Sequence, residues 1–468
     1  MAVLPWMGVT IPTIFTSAEA RASILRRSAI VDTDVSSSML DINEKIWGAR
    51  LTPDQVVGLL VADVAARGDA AVRDATEKVD RVRLDQLEVG RDEIARAYEQ
   101  VDETVTNALR LAVEQVQAFH ERHLPKGWLE FNHDGALGQL VRPIERIGLH
   151  VPGGRASYPS TVIMSAIPAR VAGCKNIIMC SPPQRNGHIA PVTLVAADIA
   201  SVDRVFSVGG AQSIAAMAYG TESIPRVDKI VGPGNLYVVL AKRRVFGQVG
   251  IDQIPGPTET MLIVDESVDP RGVAADLLAQ AEHDPLASAI ALVSSHRLAE
   301  AVQSAVIDQL NRFDRADIAR ASLRRGGGIV VVPSIAEAID IANDYAPEHL
   351  CLLISDAWSW IGHIQNAGGV FVGEHSLEAI GDYTAGPSHV MPTNGTARFS
   401  SGLSVFDFVK FMSVFGVNRA GLERLGPPAI ALARSEGLGG HAQAVVQRIG
   451  EPPATVKLDA QMVETNYG

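Results

Sequence analysis

The sequence predicts an α/β protein built from two parallel-sheet domains in series, with helical segments at both ends. Three observations carry this. From Leu140 to about Val372, short apolar runs alternate with tracts of helical periodicity, as in parallel sheets whose strands are covered on both faces. Glycines fall repeatedly just after a strand and before a helix, at Pro152-Gly-Gly-Arg155, Gly209-Gly-Ala-Gln212 and Gly232-Pro-Gly-Asn235. A length of 468 residues also exceeds what one core sustains, since single cores stop growing near about 300 residues.

Residues 1–50 form an N-terminal extension in which Thr16-Ser-Ala-Glu reads as a helix start capped by Ser17. From Thr52 to about His123 the pattern is helical. Thr52 followed by Pro53 is a cap with proline at the first helical position, Leu59, Leu60 and Val64 keep helical spacing, and Gly68 breaks the run. Asp92 to His120 reads as two further helices. The first sheet takes its strands from Arg146–Val151, Asn176–Cys180, Arg204–Val208 and Asp228–Val231, with helices between them. The second takes Met261–Asp265, Ala289–Val293, Gly327–Val332, Leu350–Ile354 and Gly369–Val372. The helices of 51–145 are expected to pack on 250–381 as one discontinuous α/β domain, with 146–249 as the domain between. Residues 382–468 read as a loop followed by a helical tail. The tail has too few apolar residues for a core of its own, so it should pack on the body or on a partner subunit.

Lys+Arg 41 against Asp+Glu 53 gives a net charge of −12, which argues against nucleic acid or an anionic membrane as the main partner. Hydrophobic residues make up 47% and charged residues 20%, as in an ordinary globular enzyme rather than a disordered chain. The three cysteines, Cys174, Cys180 and Cys351, lie in or beside apolar runs without a CxxC pair, so a reducing compartment is expected. With no secretory signal pattern and no apolar run of membrane-spanning length, a cytoplasmic location is expected.

Ionisable groups meet chain breakers in four places. Gln280 and His283 stand three apart at a helix end stopped by Pro285, and so share a face. Glu348 and His349 follow Pro347 at a helix-to-strand junction. Asp382 and His389 lie in a Gly/Pro-rich loop. Glu436 and His441 flank a Gly-Leu-Gly-Gly joint in the tail. Imidazole and carboxylate suit Zn²⁺, whereas glutamine is a poor zinc ligand on chemical grounds alone.

The stretches Val208-Gly-Gly-Ala-Gln-Ser-Ile-Ala, Gly232-Pro-Gly-Asn, Gly256-Pro-Thr-Glu, Gln280-Ala-Glu-His-Asp, Tyr345-Ala-Pro-Glu-His-Leu, Gly381-Asp-Tyr-Thr-Ala-Gly-Pro-Ser-His-Val and Glu436-Gly-Leu-Gly-Gly-His, in this order, resemble the L-histidinol dehydrogenase family. The resemblance covers about residues 55 to 450. It implies two incomplete Rossmann-like parallel-sheet domains with helical extensions, and a homodimer whose tail reaches the partner's active site. It also implies zinc and NAD, with oxidation of L-histidinol through the aldehyde to L-histidine as the last step of histidine biosynthesis. By the motifs, Gln280, His283, Asp382 and His441 would hold the zinc, and Glu348 and His349 would be the acid/base pair. Thr258, Glu436, the acid/base pair and the zinc ligands would surround the substrate, and Gln212 and Asn235 would contact NAD. Two positions depart from the pattern. His150 stands where the family often has a tyrosine that contacts NAD, and Thr258 stands where serine is also common.

Other readings are open to the same residues. The substrate could be another small polar alcohol. Cys351, two residues after His349, invites comparison with thioester-forming aldehyde dehydrogenases, although a buried strand thiol is inert. A zinc hydrolase would use Glu348 on water and need no cofactor.

Overall fold

The computed structural model describes residues 11–27, 37–153 and 157–450. In chain order its strands are β1 (Ile14–Thr16), β2 (Trp128–Asn132), β3 (Gly135–Pro143), β4 (Arg146–His150), β5 (Asn176–Cys180), β6 (Arg204–Phe206), β7 (Lys229–Val231), β8 (Gly250–Ile251), β9 (Glu259–Val264), β10 (Ser288–Val293), β11 (Gly328–Val331), β12 (His349–Leu353), β13 (Gly369–Val372) and β14 (Val409–Val417). They divide between two compact units. One comprises the residues up to Leu124 with Pro143–Phe408, and the other comprises Pro125–Arg142 with the residues from Val409 onward.

The first unit holds both expected parallel sheets. One runs β6-β5-β4-β7-β8 and the other β1-β11-β10-β9-β12-β13. Every residue of β9 and β10 is buried, in keeping with their apolar runs Met261–Val264 and Ala289–Val293. In each sheet the strand order reverses once, between β4 and β7 and between β9 and β12. Such reversals open a crevice, because the connections leave on opposite faces. β1, from the extension that the sequence left unread, adds an edge strand to the second sheet.

The helices Pro53–Arg67 and Asp69–Asp80 differ from expectation in what they cover. Val56, Val57, Leu60, Val61, Val64, Val72 and Ala75 pack with Ile178, Phe206, Ile214 and Val245, so they close the first sheet rather than the second. Periodicity identifies an apolar face but not its destination. The caps read as expected at Thr52, whose hydroxyl accepts from the Gln55 N–H with Pro53 behind it. At the first helix the cap is Thr16 rather than Ser17, because Thr16 and Glu19 satisfy each other's donors in a capping box.

One turn has a strict backbone requirement. Gly232 has φ +111°, and a Cβ there would stand 2.2 Å from the His150 carbonyl oxygen. A buried ion pair between Lys242 and Asp252 grips it from both sides. Lys242 Nζ donates to the Gly232 carbonyl at 2.9 Å, and Asp252 Oδ2 accepts from its N–H at 2.8 Å.

The helix Glu103–Glu121 buries Leu109, Ala112, Val116 and His120. Neither nitrogen of His120 has a hydrogen-bond partner among the described residues, and burial pushes its pKa down to about 4. The folded chain therefore keeps this imidazole neutral, while the unfolded chain protonates it near its ordinary value of about 6.5. The resulting stability is complete above about pH 6.5 and is lost as the pH falls towards 4. We expect His120→Leu to flatten the acid limb of urea-denaturation stability by about 1–3 kcal/mol. An unchanged slope would show that other groups set it.

The second unit joins the antiparallel hairpin β2–β3 to β14 in one sheet and carries the helices Arg419–Ser435 and Gly439–Ile449. The helices meet through Ile430, Ala442 and Val446, a core too small to stand alone, as expected. The tail expected to be helical from Ser404 to Arg448 instead begins with a strand. Val409-Lys-Phe-Met-Ser-Val-Phe is rich in β-branched and aromatic residues, a signal that outweighs its weak helical spacing. Phe131, Phe415 and Leu432 are among the apolar side chains this unit leaves exposed.

Candidate active site

Glu348 and His349 enter at the N-terminal end of β12, where Pro347 and a left-handed Ala346 end the preceding helix, Ile335–Tyr345. Both are buried. Across the strand reversal, one residue of β9 serves them both. The Glu259 N–H donates to Glu348 Oε2 at 3.1 Å, and its carbonyl lies 3.1 Å from His349 Nδ1. A carbonyl can only accept, so Nδ1 carries the proton and a neutral imidazole keeps its lone pair on Nε2. Among the described residues that nitrogen has no hydrogen-bond partner, and it faces Asp382, 3.7 Å from Oδ1.

Thr258 places its hydroxyl 2.7 Å from Glu348 Oε2 and 3.1 Å from Gln280 Oε1. One hydroxyl proton serves one acceptor at a time, which leaves lone-pair capacity on the Gln280 amide oxygen. Gln280 is buried in the last turn of the helix Pro270–Ala281, and its Nε2 donates to Glu378. The helix stops before His283, which lies exposed in the following turn with its N–H on the Gln280 carbonyl. Asp382 was expected in a loop. It lies instead in the short helix Glu378–Tyr383, with Glu378 one turn before it. His389 is in the loop as expected, with Nδ1 2.9 Å from the Asp382 carbonyl and Nε2 3.4 Å from the Thr161 hydroxyl.

Burial is the largest influence on Glu348 and pushes its pKa up, against the opposing pull of His349 and Thr258. Burial also disfavours the His349 cation, but the carboxylates of Glu348, Glu378 and Asp382 outweigh it and raise its pKa. Asp382 moves down, because His349 overcomes the cost of burying its charge. With its pKa raised to about 10, His349 keeps a proton at neutral pH in the unliganded chain and must release it before Nε2 can accept another. The site also lies at the N-terminal ends of β9 and β12, whereas open α/β sheets usually bind ligands beyond the C-terminal ends.

The expected metal donors in this unit are an amide oxygen with spare capacity, a carboxylate and an imidazole. Zn²⁺ accepts nitrogen and oxygen donors of these kinds in fourfold coordination, so the set fits in type and is one ligand short. The expected fourth, His441, is exposed in the second unit, on the helix Gly439–Ile449, as is Glu436 at the end of Arg419–Ser435. Among the described residues no three His, Cys, Asp or Glu side chains converge to hold a metal. The expected set explains this, since only two of its three donors in the first unit are of those types.

The expected cofactor contacts lie in the turns and helix starts that follow strands of the first sheet, Asn235 after β7 at the reversal and Gln212 after the edge strand β6. Asn235 caps the helix Leu236–Val245, its Oδ1 accepting from the Tyr237 N–H at 3.0 Å. Gln212 is buried in the first turn of the helix Gly210–Tyr219 with Nε2 unpartnered. His150 donates from Nδ1 to the Pro233 carbonyl at 2.7 Å and leaves Nε2 unpartnered. Burial, its largest influence, pushes its pKa down to about 4, so Nε2 is an acceptor. A buried donor and a buried acceptor without partners suit a crevice that a polar ligand completes.

Sequence reasoning missed four contributors. Glu259 holds Glu348 and His349, the expected acid/base pair, through its backbone. Arg27 pairs with the Glu259 carboxylate and reaches the Tyr345 carbonyl at 3.1 Å. Glu378 holds Gln280, and Thr161 holds His389. Only Glu259 stood in a quoted motif, beside Thr258, and the others carry no local signal. Cys351 is the reverse case. Its thiol donates to Glu378 at 3.0 Å, and burial raises its pKa well above the ordinary value, so it is a structural donor rather than a thiolate nucleophile.

A family model described as histidinol dehydrogenase matches residues 50–449. The chain belongs to the histidinol dehydrogenase family. A histidinol dehydrogenase of Deinococcus radiodurans is 51% identical over 438 residues, which span 93% of this chain and 99% of the relative. One of Dehalococcoides mccartyi is 47% identical and spans 93% of this chain and 98% of the relative. The crystal structure of histidinol dehydrogenase from Elizabethkingia anophelis superposes with a TM-score of 0.85 at 34% identity. It covers 93% of this chain and 97% of that one. The family catalyses the final step of histidine biosynthesis, and the chain is accordingly an NAD-dependent oxidoreductase. The mixed α/β fold with parallel sheets agrees with the sequence reading. Among the described residues no helix is long and apolar enough to cross a membrane.

Proposed function

We propose that the chain oxidises L-histidinol through L-histidinaldehyde to L-histidine, with two NAD⁺ as co-substrates, at the cluster of Thr258, Gln280, Glu348, His349 and Asp382. The observation that carries the reading is His349, a buried imidazole whose Nδ1 is committed to a carbonyl and whose Nε2 is open among carboxylates. Once His349 has released the proton that these carboxylates favour, a hydroxymethyl group set against Nε2 can give up its own proton to a base held in the required tautomer. The cation so formed is stabilised by Glu348 and Asp382. In the second oxidation the aldehyde requires a water, and Glu348, with its pKa raised by burial, is suited to take a proton from it.

Gln280, His283, Asp382 and His441 would hold zinc and Gln212 and Asn235 would contact NAD⁺; when bound, the metal anchors the substrate's nitrogen atoms and the nucleotide accepts hydride. The chain's own residues line the substrate, with Thr258 donating a hydroxyl and Glu436 supplying a carboxylate for the amine. In the same reading the chain is a homodimer that shares Glu436 and His441 between its subunits. The exposed Phe131, Phe415 and Leu432 of the second unit suit burial against another chain.

The test is stoichiometric. Each histidinol should yield two NADH, followed by absorbance. A chelator should stop the reaction and zinc should restore it. NADH formation from other amino alcohols but not from histidinol would move the substrate assignment.

A further inference from the structure

Gln280 is chemically the least suited of the expected metal ligands. A primary amide has two unlike ends, an oxygen with lone pairs for a cation and a nitrogen with two protons and none to offer. Nothing in the side chain itself decides which end faces the site. In this structure Glu378 decides it. Gln280 Nε2 donates to Glu378 Oε2. On its other side, Glu378 Oε1 accepts from the Thr260 hydroxyl and from the Cys351 thiol, the latter at 3.0 Å. All four side chains are buried, so water does not compete for these bonds.

We propose that Glu378 is a positioning residue for the metal site. By accepting from the Gln280 amide nitrogen it turns the amide oxygen towards Thr258 and the site, and Thr260 and Cys351 fix its own orientation. Cys351 thereby acquires a function that its inert thiol alone does not suggest. The inference rests on the reading of Gln280 as a metal ligand.

The isosteric Glu378→Gln keeps the shape and reverses the logic. The oxygen of the new amide stays on the Thr260 and Cys351 donors, so its nitrogen meets the nitrogen of Gln280. Two donors cannot pair, and Gln280 turns over. We expect the zinc affinity of the metal-free protein, measured by competition with a chromophoric chelator, to fall about 10- to 100-fold. The double variant Gln280→Glu/Glu378→Gln restores a donor and acceptor pair with the roles exchanged and leaves a carboxylate oxygen for the metal. Its affinity should recover to near that of the parent, which a merely structural glutamate does not predict. Should Glu378→Gln not fold, Thr260→Val is expected to weaken zinc binding by about 10-fold and Thr260→Ser to retain it. Undiminished zinc affinity in Glu378→Gln, or a double variant that binds no better than the single one, overturns the proposal. A Gln280→Ala protein that binds zinc like the parent overturns the metal-site reading itself, which separates the two failures.

Discussion

His349→Asn is expected to slow oxidation of the alcohol by about 10²- to 10⁴-fold, with bound zinc unchanged. Asparagine can still donate to the Glu259 carbonyl and so preserves the local backbone bond. It offers no basic nitrogen on the side facing Asp382. The loss should therefore fall on kcat, because a proton acceptor matters most as the alcohol proton leaves. The paired measurements are single-turnover NADH formation and metal content by atomic emission. Loss of zinc in the variant would show that a ligand had been taken for a base.

Glu348→Gln should separate the two half-reactions. We expect aldehyde oxidation to fall by about 10²- to 10³-fold and alcohol oxidation to fall far less, because only the second step needs water to surrender a proton. The amide keeps the size of the carboxyl and can still accept from the Thr258 hydroxyl and the Glu259 N–H. Feeding histidinol and histidinaldehyde separately and following NADH from each gives the ratio directly. Equal losses would count against a role for Glu348 on water and would favour a general electrostatic one on His349.

The sequence made the sheets and the active-site pair legible for one physical reason: both depend on local pattern. Buried strands such as β9 and β10 show as apolar runs over Met261–Val264 and Ala289–Val293, and Pro347 ends a helix before Glu348. The destination of the helix Pro53–Arg67 was not legible, since an apolar stripe fits either sheet. β14 was misread because an exposed strand with many large residues has no clean alternation. In the candidate site, Thr258, Glu348, Asp382 and His441 each stand beside a glycine or proline and drew attention. The side chains that hold them did not. Glu378 and Thr161 act through single hydrogen bonds across long stretches of chain, and no local spacing encodes such a bond.

Arg27 lies 232 residues before Glu259, its partner in a partly buried ion pair. It comes from a part of the chain that precedes the family match, which begins at residue 50. Yet its guanidinium neutralises Glu259, whose backbone grips both Glu348 and His349. Glu259 is already pushed up by burial, even with that cation present. A recombinant gene trimmed to the recognisable core would encode every motif and still omit the counter-ion. The carboxylate left behind would take up a proton or draw in water, and the peptide that aligns the catalytic pair would lose its anchor. The segment around Arg27 thus supports the Glu348–His349 pair through Glu259, although it lies outside the matched region.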